Sequence, residues 1–178
     1  MSNKHLPPHL QRRSFLRLSV GAAVVLAVAG GTAALMTTPG VVDGRLSAPA
    51  RGLLHSVAAA VLADLLPSDP AQRHAVLEKA MHRADALIAH LPEHARDEAS
   101  QLLALLATSV GRRTLAGLES PWEQASPSEV LAALKAMQAS SLPLRVQAYQ
   151  GLHDLVCIPY FSGTEAWAAI GYPGPVTL

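Results

Sequence analysis

The amino-acid sequence predicts an all-α protein, a compact bundle of five or six helices, from its composition and its apolar spacing. Alanine (32) and leucine (28) make up 60 of the 89 apolar residues in the 178-residue chain, against 24 valines, isoleucines and threonines. Alanine and leucine lose little side-chain freedom in a helix, whereas β-branched residues lose more. Apolar residues recur every three or four positions, and no window alternates with period two for long enough to predict a strand.

Prolines and glycines divide the body of the chain into a linker and a helical domain. We interpret residues 37–49 as the linker, because two prolines and two glycines lie there, and residues 50–178 as the helical domain. The first predicted helix spans Ala50–Leu66, where leucines and valines at three- and four-residue spacing form one apolar face. Pro67 ends this helix.

The second and third predicted helices are separated by a proline. Asp69 is a predicted N-cap with Pro70 at the first helical position, and the second helix runs to about Leu91. Pro92 separates it from a third helix, which ends near Gly111.

The last predicted helices occupy the final third of the chain. Arg112 and Arg113 follow the third helix and are interpreted as a helix-terminal surface pair. The predictions are then a fourth helix opened by Ser126–Pro127, a fifth that begins near Pro143 and is ended or kinked by Pro159, and a short helix over 163–169.

The first 36 residues differ from the rest of the chain in charge. Residues 1–36 hold four basic residues and no acid, a net charge of +4, whereas the remaining 142 hold ten bases and thirteen acids, a net charge of −3. A slightly acidic body lacks the basic field that nucleic-acid binding needs, so we predict no nucleic-acid partner. A basic stretch followed by an uncharged run, residues 18–42, is the layout of an export signal.

The residues around the paired arginines resemble a twin-arginine (Tat) export signal. The sequence Gln-Arg-Arg-Ser-Phe-Leu-Arg places Arg12, Arg13, Phe15 and Leu16 at the positions of the pattern Ser/Thr-Arg-Arg-x-Phe-Leu-Lys. The uncharged run that follows is long enough to span a bilayer as one helix if it is not cleaved. We therefore predict that 1–36 is a Tat signal peptide or an uncleaved membrane-anchor helix, recognised by the Tat translocase. The body is then periplasmic, either free or anchored to the inner membrane.

Few residues of the body form a recognisable chemical site. The single cysteine, Cys157, excludes a disulfide within the chain, and its spacing from His153 allows a contact that we interpret as packing rather than catalysis. The eight histidines contain no His-Glu-x-x-His pattern, and His90 and His94 are separated by Pro92. We therefore predict no catalytic residue, no cofactor and no metal ligand in this chain.

Aromatic residues gather at the C-terminal end. Five of the seven, Tyr149, Tyr160, Phe161, Trp167 and Tyr172, lie in the last 30 residues among prolines and glycines. Two interpretations remain open for each of them. The aromatic side chains seal one end of the helical core, or they form a surface that anchors a partner protein.

The aromatic, glycine and proline residues of this end follow a pattern. Its blocks are Tyr149-x-x-Leu152-His153-x-Leu155-Val156, Tyr160-Phe161 and Glu165-Ala166-Trp167-x-x-Ile170-Gly171-Tyr172-Pro173-Gly174-Pro175. Together with the Tat leader, this pattern resembles the gluconate 2-dehydrogenase subunit 3 family. Members of that family are small subunits of membrane-associated flavin dehydrogenases, found beside glucose–methanol–choline (GMC) type flavoproteins.

The resemblance implies a non-catalytic role. In such complexes the large subunit holds FAD and oxidises an alcohol or a sugar hydroxyl, a c-type cytochrome often relays the electrons, and the small subunit carries the Tat leader. The chain is thus expected to be an accessory subunit that stabilises a flavoprotein. The folded flavoprotein is expected to cross the membrane bound to this chain. The residues expected to bind that partner are Tyr160, Phe161, Trp167, Ile170, Gly171, Tyr172 and Pro173.

A different class of function stays open at this point. In this alternative, the chain is a free-standing, Tat-exported helical protein. It binds a metal or a small ligand through its histidines, with His90 and His94 as the candidates. Metal content that depends on His90 and His94 distinguishes this alternative from the accessory subunit.

Overall fold

The computed structural model describes residues 38–173, and this part of the chain is mostly helical, which confirms the all-α prediction. The predicted signal or anchor helix, with Arg12, Arg13, Phe15 and Leu16, lies outside the described residues. Within them, no helix is both long and apolar enough to cross a membrane. The helices are α1 (Ala48–Val61), α2 (Pro70–His90), α3 (Glu93–Ala107), the single turn α4 (Ser109–Gly111), α5 (Pro127–Gln138), α6 (Pro143–Phe161) and α7 (Thr164–Ala169).

Where the structure describes it, from residue 38, the predicted linker over 37–49 contains a small β-hairpin. Strand β1 (Val41–Val42) pairs antiparallel with β2 (Arg45–Leu46), with Val41 opposite Leu46. Asp43 and Gly44 connect the strands with φ values of 51° and 73°, as a tight hairpin turn requires at both central positions. Strands of two residues are too short to show an alternating pattern, although the Asp-Gly pair is itself a turn signal.

Side chains of two helices attach this hairpin to the bundle. The Val41 N–H donates to Ser100 Oγ at 3.0 Å, and the Leu46 N–H donates to Asp85 Oδ1 at 2.9 Å. Gly40 lies so close to α3 that an added Cβ would overlap the Ser100 carbonyl and the Leu103 side chain. Residues 40–46 are therefore part of the packed domain.

Helix α1 lies at the centre of the bundle and contacts α2, α3, α5 and α6. Its predicted apolar face is confirmed, because Leu53, Leu54 and Val57 are fully buried. The helix begins at Ala48, two residues before the predicted start, and Pro49 is accommodated in its first turn. It ends at Val61 rather than Leu66, and hydrogen-bonded turns cover the residues that follow.

The helix starts that carry capping residues are confirmed. Asp69 accepts a hydrogen bond from the Gln72 N–H at 2.8 Å at the start of α2. Ser126 and Glu129 cap the start of α5 reciprocally. The bond that Glu129 accepts from the Ser126 hydroxyl, helped by one from the Ser126 N–H, holds the pKa of this carboxyl below its ordinary value.

The third predicted helix is interrupted before its predicted end. α3 ends at Ala107, Thr108 caps the turn α4, and a π-helical turn follows over Arg112–Ala116. Gly117 then ends the helical path with a φ of 72°, which favours glycine. In contrast to the prediction of an exposed pair, Arg112 is buried and Arg113 is exposed.

Candidate functional site

The end of α6 and the whole of α7 bring the predicted partner-binding residues together. Pro159 does not end α6, which continues for two residues to Phe161 before α7 begins at Thr164. Tyr160 is only 1% exposed, and its hydroxyl donates to the Leu65 carbonyl at 3.3 Å. Its side chain therefore seals the core and presents no surface to a partner.

Other apolar side chains at the junction between α6 and α7 face solvent. We define the C-terminal apolar patch as Ile158, Phe161, Ile170 and Tyr172, which are between 38% and 54% exposed. The partly buried Trp167 joins them, since its Nε1 donates to the Phe161 carbonyl at 3.3 Å and its ring meets the Tyr172 ring edge-on, 5.5 Å between centroids. An exposed cluster of large apolar side chains is typical of an interaction surface. Ile158 was not among the predicted partner-binding residues.

A glycine cap fixes the position of the last aromatic ring. Gly171 has a φ of 69°, and the Tyr172 N–H donates to the Trp167 carbonyl at 2.8 Å. This is the bond of a Schellman motif, in which the residue after the glycine folds back and packs on the last helical turn. Pro173 follows and cannot continue the helix. The block Trp-x-x-Ile-Gly-Tyr-Pro therefore forms a helix C-cap. Within it, Ile170 and Tyr172 stay at the surface.

Arg83 of α2 forms a clamp, a pair of hydrogen bonds that connects the α6–α7 junction to the bundle. These bonds were not predicted from the sequence. Its Nε donates to the Pro159 carbonyl and its Nη2 to Glu165 Oε1, both at 2.6 Å. A side chain at position 163 would overlap the guanidinium, so Gly163 makes room for it. Arg83 and Glu165 are 82 residues apart, and no local pattern connects them.

The Arg83–Glu165 ion pair gives this junction a pH dependence. Burial of the Glu165 carboxyl disfavours its charge, but hydrogen bonds from its own backbone and from Arg83, with the charges of Arg83 and Lys79, outweigh burial and lower its pKa below 4.5. A carboxyl whose pKa is lower in the folded state stabilises the fold above the unfolded-state pKa. This stabilisation is lost as the pH falls from about 4.5 through the lower folded-state pKa.

We expect Glu165→Gln to cost about 1 kcal/mol of unfolding free energy near neutral pH and less at about pH 3. Urea unfolding of both proteins at each pH measures the difference. Glu119→Gln is the matched control, because Glu119 is exposed and pairs only with the exposed Arg113, so its small effect should change little. A Glu165→Gln effect of the same size at both pH values would show that the Arg83–Glu165 ion pair does not give the fold this pH dependence.

A shallow groove lies next to the patch, between α2 and the end of α6. It has a volume of about 330 Å³ and shares Ile158 with the patch. Its other lining residues are Arg83, Ala86, Leu87, His90, Pro159 and Ser162. The groove extends the apolar surface towards α2.

The predicted contact between Cys157 and His153 is present on α6. The thiol lies 3.5 Å from His153 Nε2, and His153 Nδ1 lies 3.5 Å from Asp154. Burial of the thiol, and secondarily the negative charge of Asp154, raise the pKa of Cys157. A raised pKa disfavours the thiolate, which is the nucleophilic form.

Two of the histidines, His55 and His74, lie close together in a contact that was not predicted from the sequence. His90 ends α2 and its Nδ1 lies 2.7 Å from the Ala86 carbonyl, while His94 lies on α3 beyond the predicted break at Pro92. Among the described residues, the group that offers three potential metal-ligand atoms close together is instead His55, His74 and Glu78. Histidine spacing within one helix could not reveal this group, because His55 comes from α1.

Comparison of the chain with protein-family models, with curated proteins and with solved structures finds no match.

Proposed function

We propose that this chain is a non-catalytic accessory subunit of a periplasmic flavin-dependent alcohol or sugar dehydrogenase. It supplies the Tat signal with which the folded large subunit is exported, and it stabilises that subunit. FAD belongs to the partner, and the chain itself holds no cofactor and no catalytic residue.

The single observation that carries the proposal is the C-terminal apolar patch. Of the seven large hydrophobic side chains that are most exposed among the described residues, four belong to the patch. A soluble surface normally carries such side chains singly, and a cluster of them that includes aromatic rings is suited to binding a protein. Three of the four patch residues, Phe161, Ile170 and Tyr172, lie in the blocks that carry the resemblance to the small-subunit family.

Hydrogen bonds connect the segments that carry the patch to the rest of the domain. Arg83 bonds both the end of α6 and α7, and the glycine cap places Tyr172 against Trp167. Binding costs less free energy when the contacting side chains are already ordered, because less conformational freedom is lost. An apolar surface restrained in this way suits a lasting complex between two folded subunits.

The N-terminal segment supports the same function from the sequence side. The pattern at Arg12, Arg13, Phe15 and Leu16 resembles a signal for export of folded proteins, and a folded partner bound to the patch would cross the membrane with this chain. Depending on whether the signal is cleaved, the complex is free in the periplasm or anchored in the inner membrane.

We expect Ile170→Ser to weaken the complex with the flavoprotein about tenfold or more while leaving the folded subunit intact, because Ile170 is 54% exposed. The test is co-expression of the full chain with the GMC-type flavoprotein of the same organism, followed by measurement of the FAD that co-purifies. Leu142→Ser is the matched control. Leu142 is 59% exposed and lies at the opposite end of α6, so its replacement should leave the complex unchanged.

The comparison separates the outcomes clearly. Loss of flavin from the Ile170→Ser preparation, with the Leu142→Ser preparation unaffected, supports the patch as the docking surface. Equal amounts of flavin in both preparations, or no flavin with the unaltered chain, would contradict the proposal.

A further inference from the structure

Helices α1 and α2 bring two imidazoles and a carboxylate together next to the connection between them. His74 and Glu78 are four residues apart on α2 and therefore lie on the same side of that helix. His55 of α1 faces them, with its ring centroid 6.3 Å from that of His74. One ligand atom from each of the three residues lies within 4.8 Å of the other two.

The separations are close to what a tetrahedral metal site needs. Zinc bonds of 2.0–2.2 Å to nitrogen and oxygen place two ligands of a tetrahedron about 3.4 Å apart. The three side chains therefore have to approach one another by about 1.4 Å at most. The exposed His74 and the half-exposed Glu78 can do so by rotating their side chains, with no movement of the helices.

We infer that His55, His74 and Glu78 form a binding site for a divalent transition-metal ion of the zinc type. Two imidazole nitrogens favour such an ion over Mg²⁺ or Ca²⁺, which prefer oxygen ligands throughout. Three protein ligands leave a fourth position, and the exposure of His74 places that position at the surface, where water fills it. This site shares no residue with the C-terminal apolar patch and does not depend on the proposed function.

One positive charge lies close to the site. Arg51 Nη1 is 3.8 Å from Glu78 Oε2, a long ion pair, whereas Arg51 Nη2 bonds Asp85 directly. The guanidinium is thus held mainly by Asp85, which leaves the Glu78 carboxylate able to turn towards a metal. In the bound state, Arg51 remains a neighbour of the carboxylate rather than a competitor for it.

The metal would add a direct link between α1 and α2, which already pack against each other. His55 lies near the middle of α1, and His74 and Glu78 lie in the first half of α2. An ion bound to all three exists only in the folded state, so it stabilises that state by mass action. At a free Zn²⁺ concentration about a hundredfold above the dissociation constant, Tm should rise by roughly 5–10 °C.

The experiment uses the full chain, purified without a polyhistidine tag, and Zn²⁺ as the probe. Isothermal titration calorimetry and Tm measurements compare the unaltered chain with His55→Ala, His74→Ala and Glu78→Gln. Each variant should lose about tenfold or more in zinc affinity, together with the rise in Tm. His74→Ala is the decisive variant, because its side chain is exposed and its removal leaves the fold intact.

His82→Ala is the matched control, since His82 is also exposed on α2 but does not belong to the group. It should bind zinc as the unaltered chain does. The inference is overturned if zinc leaves Tm unchanged, if His74→Ala binds zinc as tightly as His82→Ala, or if Mg²⁺ raises Tm as much as Zn²⁺.

Discussion

Replacing Arg112 with alanine is expected to lower the free energy of unfolding by about 3 kcal/mol, whereas replacing Arg113 changes it by less than about 0.5 kcal/mol. Arg112 is 8% exposed, and its guanidinium donates to the carbonyls of Leu118 at 3.2 Å and Glu119 at 3.0 Å. Its removal takes the donor from the buried bond to Leu118 and from the half-buried bond to Glu119. A buried carbonyl that loses its donor costs more than the bond contributes when it is present.

The expected size of this effect follows from what Arg112 holds in place. Its bonds close the segment after the π-helical turn, where the chain reverses at Gly117. The next residues lead to Trp122, which is buried and whose Nε1 donates to the Leu106 carbonyl at 2.8 Å. Loss of Arg112 therefore loosens a segment that packs a large indole against α3.

Urea unfolding of the two single variants measures the difference directly. Arg113→Ala is a demanding control, because it removes the same side chain from the next position and breaks only an exposed ion pair with Glu119. Arg112→Lys should fall between the two, since an ammonium group keeps the charge but lacks the planar fork that reaches both carbonyls. Equal losses for Arg112→Ala and Arg113→Ala would contradict the structural role given to Arg112.

Features that depend on neighbouring residues were predictable from the sequence. The start of α2 at Asp69–Pro70, its separation from α3 at Pro92 and the start of α5 at Ser126 follow from capping and proline effects within one turn. The buried face of α1 follows from helical periodicity. These signals act over three or four residues, a distance at which the sequence can be interpreted directly.

Features that depend on distant residues were not predictable in this way. The arginine doublet at 112–113 has two identical side chains, and the buried one is distinguished by the bonds that Arg112 donates to the Leu118 and Glu119 carbonyls. The Arg83–Glu165 clamp joins residues 82 apart, and the His55–His74 pair joins two helices. Such contacts arise from tertiary packing, for which the spacing within one helix carries no information.

The exposure of the predicted partner-binding residues followed only in part from the sequence. The sequence placed the aromatic residues at the C-terminal end, but it could not separate packing from exposure. The structure assigns Tyr160 to the core and leaves Phe161, Ile170 and Tyr172 at the surface, with Ile158 added by its position three residues before Phe161. Gly171 and Pro173 shape the chain at this surface rather than offering large side chains to it.

The second large effect is expected in export. Replacing Arg12 and Arg13 together with lysine should abolish export of this chain and, with it, export of the flavoprotein that we propose to bind the C-terminal apolar patch. Lysine preserves the net charge of the segment, so a loss of export reflects recognition of the arginine pair rather than a change in charge. Arg17→Lys is the matched control, because it also exchanges one basic residue for another but moves the sequence towards the twin-arginine pattern.

The most direct test of the proposed function is therefore the amount of the folded, FAD-containing flavoprotein in the periplasm when it is co-expressed with each form of this chain. We expect normal export with the unaltered chain and with Arg17→Lys. With Arg12→Lys/Arg13→Lys, we expect the periplasmic flavoprotein to fall to the level seen without this chain. Equal amounts of periplasmic flavoprotein with the unaltered chain and with the double variant would contradict the account.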